Sequence, residues 1–365
     1  MDINKQTQSG GDNSQLIQAQ TIVIKGITEQ RAREICREEY LMNAQTRVQE
    51  ARAIADERVS KLEDKVIPKM VEYDNSLKSF SDPAFLTSLK QAQSSAAATD
   101  KEEDYDLLAE LLLNRVKDGA DRGKRLAINT AIGVVDKIPE EALVGLGMVY
   151  TVMHLFPLAE QFNTKLEGFN RLYSKIIGDS KLPTGTDWLE HLDLLSIIRL
   201  SPHGIGSFNK MENVIPDYFE NFRVTGLAVE DPMLSQIKED FQRAGLPLNA
   251  FVEHPIRPGF EFLDLPRNVN EIKLFYRTDG GVQKIEPTLE QKALCQRTLD
   301  LINVNAFNDQ NLKNTIMQKW NEYPTLNQVL KWWNSITLYF TITPAGMALA
   351  NAFAHGRDAT VPKIG

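Results

Sequence analysis

Cysteine is nearly absent: Cys36 and Cys295 are the two in a chain of 365 residues. They lie far apart in helical patterns and belong to no CxxC, so both read as small buried hydrophobes and a disulfide framework is excluded. Histidine is also scarce. His154, His191, His203, His254 and His355 never fall at ligand spacing, so no metal site is expected, and no nucleotide or other cofactor motif stands out. Positive charge is in deficit, with 41 Lys+Arg against 49 Asp+Glu and a formal charge of −8. That balance repels a phosphate backbone and disfavours nucleic acid as a partner. No apolar run reaches the roughly 18 residues that a spanning helix needs. The longest, Ala142–Ala159, is interrupted by glycines, His154 and Pro157, and reads as a core helix, so no membrane association is expected. No basic stretch leads into an apolar one at the start, and the expectation is a cytoplasmic protein in a reducing compartment.

What the chain does have is apolar content, 42% of residues, enough for a sizeable core and two or three domains. It opens on a polar Gly/Asn/Gln turn and then "TIVIKG" (Thr21–Gly26), whose β-branched density predicts a strand ended by Gly26. Thr28 then caps a helix, with Glu29 at its positive end. The helical pattern runs to about Lys65–Met70, with a break expected at Pro68. Along it Leu41, Ala44, Val48, Ala51, Ala55, Val59, Leu62 and Val66 form a narrow, alanine-rich seam spaced mostly by threes and fours, while the other faces are charged. Such a seam suits a coiled-coil arm; a surface helix packed on its own domain explains it equally well.

A short helix is expected over Asp82–Gln93, then a linker over Ser94–Asp106. Three Leu/Ile/Val-dense helical patterns follow, one opening at Pro139 before two glutamates, and then helices at Leu158–Ile177 and Trp188–Arg199. Later come a helix at Asp231–Leu246, a strand at Glu271–Arg277, helices at Thr288–Val304, Gln310–Tyr323 and Leu326–Trp333, a strand in "ITLYFTI" and a last helix from Pro344, with Gly356 after its end. The expected class is mainly α, with an N-terminal β segment (1–27), a long helical oligomerisation arm (28–98), a helical core domain (104–255) and a small C-terminal α+β part (256–365).

Candidate chemistry is sparse. "PHGIGS" (Pro202–Ser207) is the most glycine-rich loop, and His203, Gly204, Gly206 and Ser207 are the candidate ligand-loop residues, with His203 as a base and Ser207 as a nucleophile. The loop lacks the lysine and spacing of a phosphate loop, no orienting third group is evident, and a plain turn explains its glycines. "EHLD" (Glu190–Asp193) reads as solvated carboxylates around His191. "RVKDGADRGKR" (Arg115–Arg125) reads as a salt-bridged interhelical turn ahead of an anion site. Three late helices before "ITLYFTITPAG" have the outline of a winged helix, but no basic recognition helix accompanies them. No catalytic residues are assigned.

Three separated segments, "SGGDNS…IQA", "LLAELLLNRVKD…AINTAIGVVDKIPEEAL" and "TITPAGMALANA", resemble a loosely described family of uncharacterised bacterial proteins across most of the chain. The resemblance implies no activity for individual residues. It implies, by association, a setting in bacterial stress or phage-defence loci. The chain departs from the family where "IQAQTIVIKG" lacks the glycine often found after "IQA".

A lone β segment cannot satisfy its ladder groups and invites pairing with other copies. Asn13, Ile17, Gln18, Ile22, Val23 and Ile24 are therefore expected to mediate self-assembly at the tip, with Leu41, Val48, Ala55 and Leu62 bundling below them. The competing reading is a tail whose strand joins its own domain's sheet. The functional expectation is a homo-oligomeric scaffold, sensor or regulator, with a second protein as a further candidate partner. The alternatives are an enzyme centred on Pro202–Ser207 and a winged-helix-like DNA-binding regulator.

Overall fold

The computed structural model describes residues 27–118, 121–159, 161–201, 208–278, 281–306 and 308–363. It is a mainly α protein with a small β part, and its described residues include thirteen α-helices. The opening strand expected at Thr21–Gly26 lies outside the described residues.

Chain contacts divide the protein into two units, Met1–Glu57 and Arg58–Gly365, and the division falls inside helix α1 (Glu29–Tyr73). In the first unit, the Thr28 hydroxyl accepts the Arg31 amide at 3.2 Å, as the capping signal predicts. Arg33–Glu29, Arg31–Glu34 and Arg31–Glu38 pairs line the exposed turns that follow. In the second unit α1 continues through Pro68, where a break was expected. Pro68 faces solvent, so water can serve the carbonyl it leaves unpaired, while Leu62, Val66 and Met70 are buried and hold the helix on either side of it.

The second unit then runs through α2 (Pro83–Ala98), α3 (Glu102–Lys117), α4 (Arg122–Ile132), α5 (Glu140–His154), α6 (Phe162–Ile177) and α7 (Asp187–Leu194). The expected linker at Ser94–Asp106 is instead helix on both sides of a three-residue joint. Its polar residues are spent on tertiary bonds: the Ser95 hydroxyl donates to the Ile132 carbonyl at 3.0 Å and the Tyr105 hydroxyl to the Thr99 carbonyl at 3.0 Å. The helix expected to reach Arg199 stops at Leu194. Ser196 takes a left-handed φ of 61°, and the chain turns there into strand β1 (Ile198–Leu200).

After β1 come α8 (Met211–Tyr218), β2 (Leu227–Ala228), α9 (Pro232–Arg243), β3 (Phe251–Glu253), β4 (Phe260–Leu263), β5 (Leu274–Thr278), β6 (Gly281–Ile285) and α10 (Leu289–Ile302). The chain ends with α11 (Gln310–Asn321), α12 (Pro324–Ser335), β7 (Phe340–Ile342) and α13 (Pro344–Arg357). The last helix includes Gly356, which was expected to follow it. Strands pair antiparallel as β1–β7, as β2–β4–β3 and as the hairpin β5–β6.

Packing groups the residues otherwise than the expected spans 104–255 and 256–365. One hydrophobic core gathers side chains from Leu62 to Phe222 and again from Ala306 to Val361, with Ile256 reaching it from the stretch between. A smaller core, from Val224 to Ile302, joins α9 and α10 to the three-stranded sheet. The small lobe is thus an insertion between α8 and α11, and the chain returns from it to finish the main core with α11, α12 and α13.

Buried Glu110 on α3 ties the later part of α1 to the segment after α13. Lys69 of α1 lies 3.1 Å and Lys363 2.5 Å from its carboxylate oxygens. Burial alone would push the carboxyl up, but the bonds from Lys363 and Lys69 outweigh it and hold Glu110 below the usual carboxylate value. Its stabilising contribution is therefore complete above that usual value and is lost as pH falls through the lowered one. Glu110→Gln is expected to cost about 2 kcal/mol in urea unfolding at neutral pH, with the gap from wild type closing in acid. A gap that widens in acid would contradict the pairing.

Candidate interaction surfaces

Of the expected assembly residues, Leu41, Val48, Ala55 and Leu62 lie on α1, and the structure separates them by environment. Leu41 is 54% and Val48 52% exposed, Ala55 is half-buried, and Leu62 is fully buried in the main core. Tyr40, Met42 and Ile54 add to the exposed apolar surface. Asn13, Ile17, Gln18, Ile22, Val23 and Ile24 lie outside the described residues.

The candidate loop residues His203, Gly204, Gly206 and Ser207 also lie outside them, but both flanks are described. Ser201 leaves β1 with its amide bonded to the Tyr339 carbonyl at 2.9 Å. On the other side Phe208 packs edge-on against Trp333 and Phe340, with ring centroids 5.0 and 4.9 Å away. Sequence reasoning missed what Phe208 borders, a cleft of about 710 Å³ walled by α5, α8, α12 and β7. Aromatic rings dominate it, namely Phe156, Phe208, Tyr218, Trp333, Tyr339 and Phe340, with Met153 and Met347 between them.

The cleft's polar groups are few. The Tyr218 hydroxyl donates to the Val152 carbonyl at 3.0 Å, and burial pushes its ionisation far above the usual phenol range. The apolar surroundings push His154 below the usual imidazole value, so it is neutral near pH 7. The Asn209 carbonyl accepts from the Trp333 indole at 3.0 Å. No carboxylate, lysine, arginine or thiol is among the described lining residues. Among the described lining residues no nucleophile with a base and an orienting partner is assembled, and the arrangement they make suits apolar binding.

The other motifs take structural parts. His254 is buried, with Nε2 3.0 Å from the Val224 carbonyl and Nδ1 3.2 Å from the Ile256 and Arg257 amides. Burial leads in holding it below the usual imidazole value. His191 meets the Lys137 carbonyl at 2.8 Å. Asp193, read as a solvated carboxylate, instead accepts the Leu200 amide at 3.0 Å. In Arg115–Arg125 the Lys124–Asp118 pair closes at 3.2 Å, and Asp121 caps α4 through the amides of Gly123 and Lys124. Among the described residues no group of His, Cys, Asp and Glu is placed to hold a metal, and no helix is long and apolar enough to cross a membrane. The strand after α12 pairs with β1, and α12 buries Leu326, Val329, Leu330, Trp332 and Trp333 in the main core.

A family model described only as "-like", with no activity in its description, matches residues 26–356. The chain belongs to that family. The matched span runs from the approach to α1 into the last turn of α13, in agreement with the expected resemblance over most of the chain; the "SGGDNS" segment lies outside it. No curated protein and no solved structure matches the chain.

Phe208→Ala is expected to lower stability by about 2 kcal/mol, below the 3–5 typical of a fully buried phenylalanine because Phe208 is half-buried. Asn209→Ala should leave stability unchanged, since Trp333 uses the backbone carbonyl of that residue. Paired thermal melts of the two variants check both statements.

Proposed function

We propose that the protein is a homo-oligomeric interaction scaffold that senses or regulates through contacts between chains, and that it works in a bacterial phage-defence setting. The observation that carries the assembly reading is the seam of α1. Leu41, Val48, Ala55 and Leu62 recur at every seventh residue of one continuous helix, yet the first two are exposed where the last is buried. A seven-residue apolar repeat is what a helix offers to another helix. Exposed leucine and valine on a charged helix gain from being covered, at roughly 25 cal/mol per Å² of apolar surface. The described lining of the cleft, mostly aromatic and aliphatic, suits recognition of an apolar group. The defence setting is supported by the resemblance of the three sequence segments to bacterial proteins of such loci.

Light scattering on a sizing column tests the assembly. The full chain is expected to run as a defined oligomer, and Leu41→Glu/Val48→Glu to fall to a smaller mass. The variant should still unfold cooperatively, because neither residue is buried in the chain's own core, and at a melting temperature that no longer depends on protein concentration. A full chain that is monomeric at tens of micromolar, or a double variant with unchanged mass, contradicts this reading.

A further inference from the structure

We propose that the outer edge of β7 receives the Thr21–Ile24 segment of a second copy as an added strand; this rests on the assembly reading and gives it a second contact. The argument begins with the β1–β7 register. The Thr343 amide bonds the Ile197 carbonyl at 3.0 Å and the Ser201 amide bonds the Tyr339 carbonyl at 2.9 Å, with Arg199 opposite Thr341 between them. Residues 339, 341 and 343 therefore turn their backbone groups toward β1, and Phe340 and Ile342 turn theirs away. On the far side of β1 the outward amide of Leu200 is taken by the Asp193 carboxylate at 3.0 Å, while the outward groups of Ile198, like those of β7, have no hydrogen-bond partner among the described residues. Among the described residues no side chain covers β7 in this way. The amides and carbonyls of Phe340 and Ile342 have no hydrogen-bond partner among the described residues, although Phe340 is only 3% exposed. Unpaired backbone groups at a nearly buried position are costly and rare.

This edge runs along the aromatic cleft, whose lining includes the consecutive residues 339–342. An unpaired edge beside an apolar trough is the arrangement that binds extended peptides by strand addition, with main-chain bonds giving affinity and alternate side chains filling the trough. The sequence holds a segment of matching chemistry. Thr21–Ile24 is β-branched throughout and ends before Gly26. In a strand Ile22 and Ile24 share one face, and that face would meet the cleft. Gln18–Ile24 carries no charge and the described lining carries no carboxylate or basic chain, so neither side leaves an ion to desolvate. Copies gathered through α1 bring several such segments and edges to high local concentration, which favours exchange between them.

The test is complementation between two full-length variants. Ile342→Pro removes an outward amide and leaves the β1 pairing untouched, because Ile342 sits in a pair that shares no hydrogen bond with β1. Ile22→Asp/Ile24→Asp spoils the segment and leaves the edge. Each alone is expected to associate at least tenfold more weakly than wild type by light scattering, and an equimolar mixture to associate more tightly than either. A mixture no tighter than its components overturns exchange between copies, including the case where the segment pairs with its own β7. Wild-type mass for both variants overturns the strand contact while leaving the α1 seam standing; monomeric edge variants beside an unaffected Leu41→Glu/Val48→Glu chain would do the reverse.

A labelled peptide of residues 18–26 added to the full-length Ile22→Asp/Ile24→Asp chain gives a readout that does not depend on the proline variant folding. Fluorescence anisotropy should show binding that N-methylation abolishes at amides of one parity and spares at the other. Loss of binding at both parities, or at neither, overturns strand addition.

Discussion

The rest of the structure depends on how closely α13 approaches its neighbours. It packs against α3, α4 and α5, and small residues, Ala345, Gly346, Ala350, Ala352 and Ala354, are buried in it beside Leu349, Asn351 and Phe353. A Cβ on Gly346 would lie 2.1 Å from the Ile197 carbonyl oxygen, and one on Gly147 of α5 would lie 2.5 Å from the Phe353 ring. The Gly346 contact is with backbone and leaves no room for a side chain, so the helix can approach this closely only with glycine there. The buried Asn351 amide then ties Tyr150 at 3.0 Å to the Pro362 carbonyl at 2.8 Å, and the segment that follows reaches Glu110 through Lys363. β7 leads into α13 with only Thr343 between them, and the Thr343 hydroxyl both caps the helix and bonds the Ser196 and Ile197 carbonyls. Thr343 thus couples the end of β7 to the turn before β1 and to the start of α13.

How much was legible in the sequence varied with the kind of signal. Thr28 reads as a cap in the sequence, and the structure gives Asp82, Thr288 and Asp309 the same part, because a hydroxyl or carboxylate just before a helix can accept its first free amides. Periodicity also found α10 to α13 to within a few residues. It missed β1 to β4, strands of two to four residues, because so short a run shows no alternation. Tertiary packing overrode the local signal elsewhere. Ser94–Asp106 looked like a linker by composition, but Ala96, Asp104 and Tyr105 are buried against the core. Pro68 looked like a stop until the residues flanking it proved to be anchored. The cleft was hidden altogether, since its rings come from stretches more than a hundred residues apart and nothing in the sequence announces that Phe208 meets Trp333 and Phe340.

The same helix supplies both sides of the account of assembly. The later part of α1 is ordinary core, with Leu62, Val66 and Met70 buried and Lys65 and Lys69 reaching Asp106 and Glu110 of α3. The earlier part keeps the apolar repeat without burying it. An isolated helix in water is held by propensity and surface ion pairs worth a few tenths of a kcal/mol each. Residues 29–57 carry Arg31–Glu34 and Arg33–Glu29 pairs of that kind. Covering Leu41 and Val48 with a second helix adds the hydrophobic term that surface pairs cannot supply.

Hydrogen exchange along α1 as a function of protein concentration tests this most directly. If association holds the early turns, amides between residues 29 and 57 lose protection on dilution while those between Leu62 and Met70 keep theirs. Protection of the early turns that does not change from the highest to the lowest concentration would contradict it.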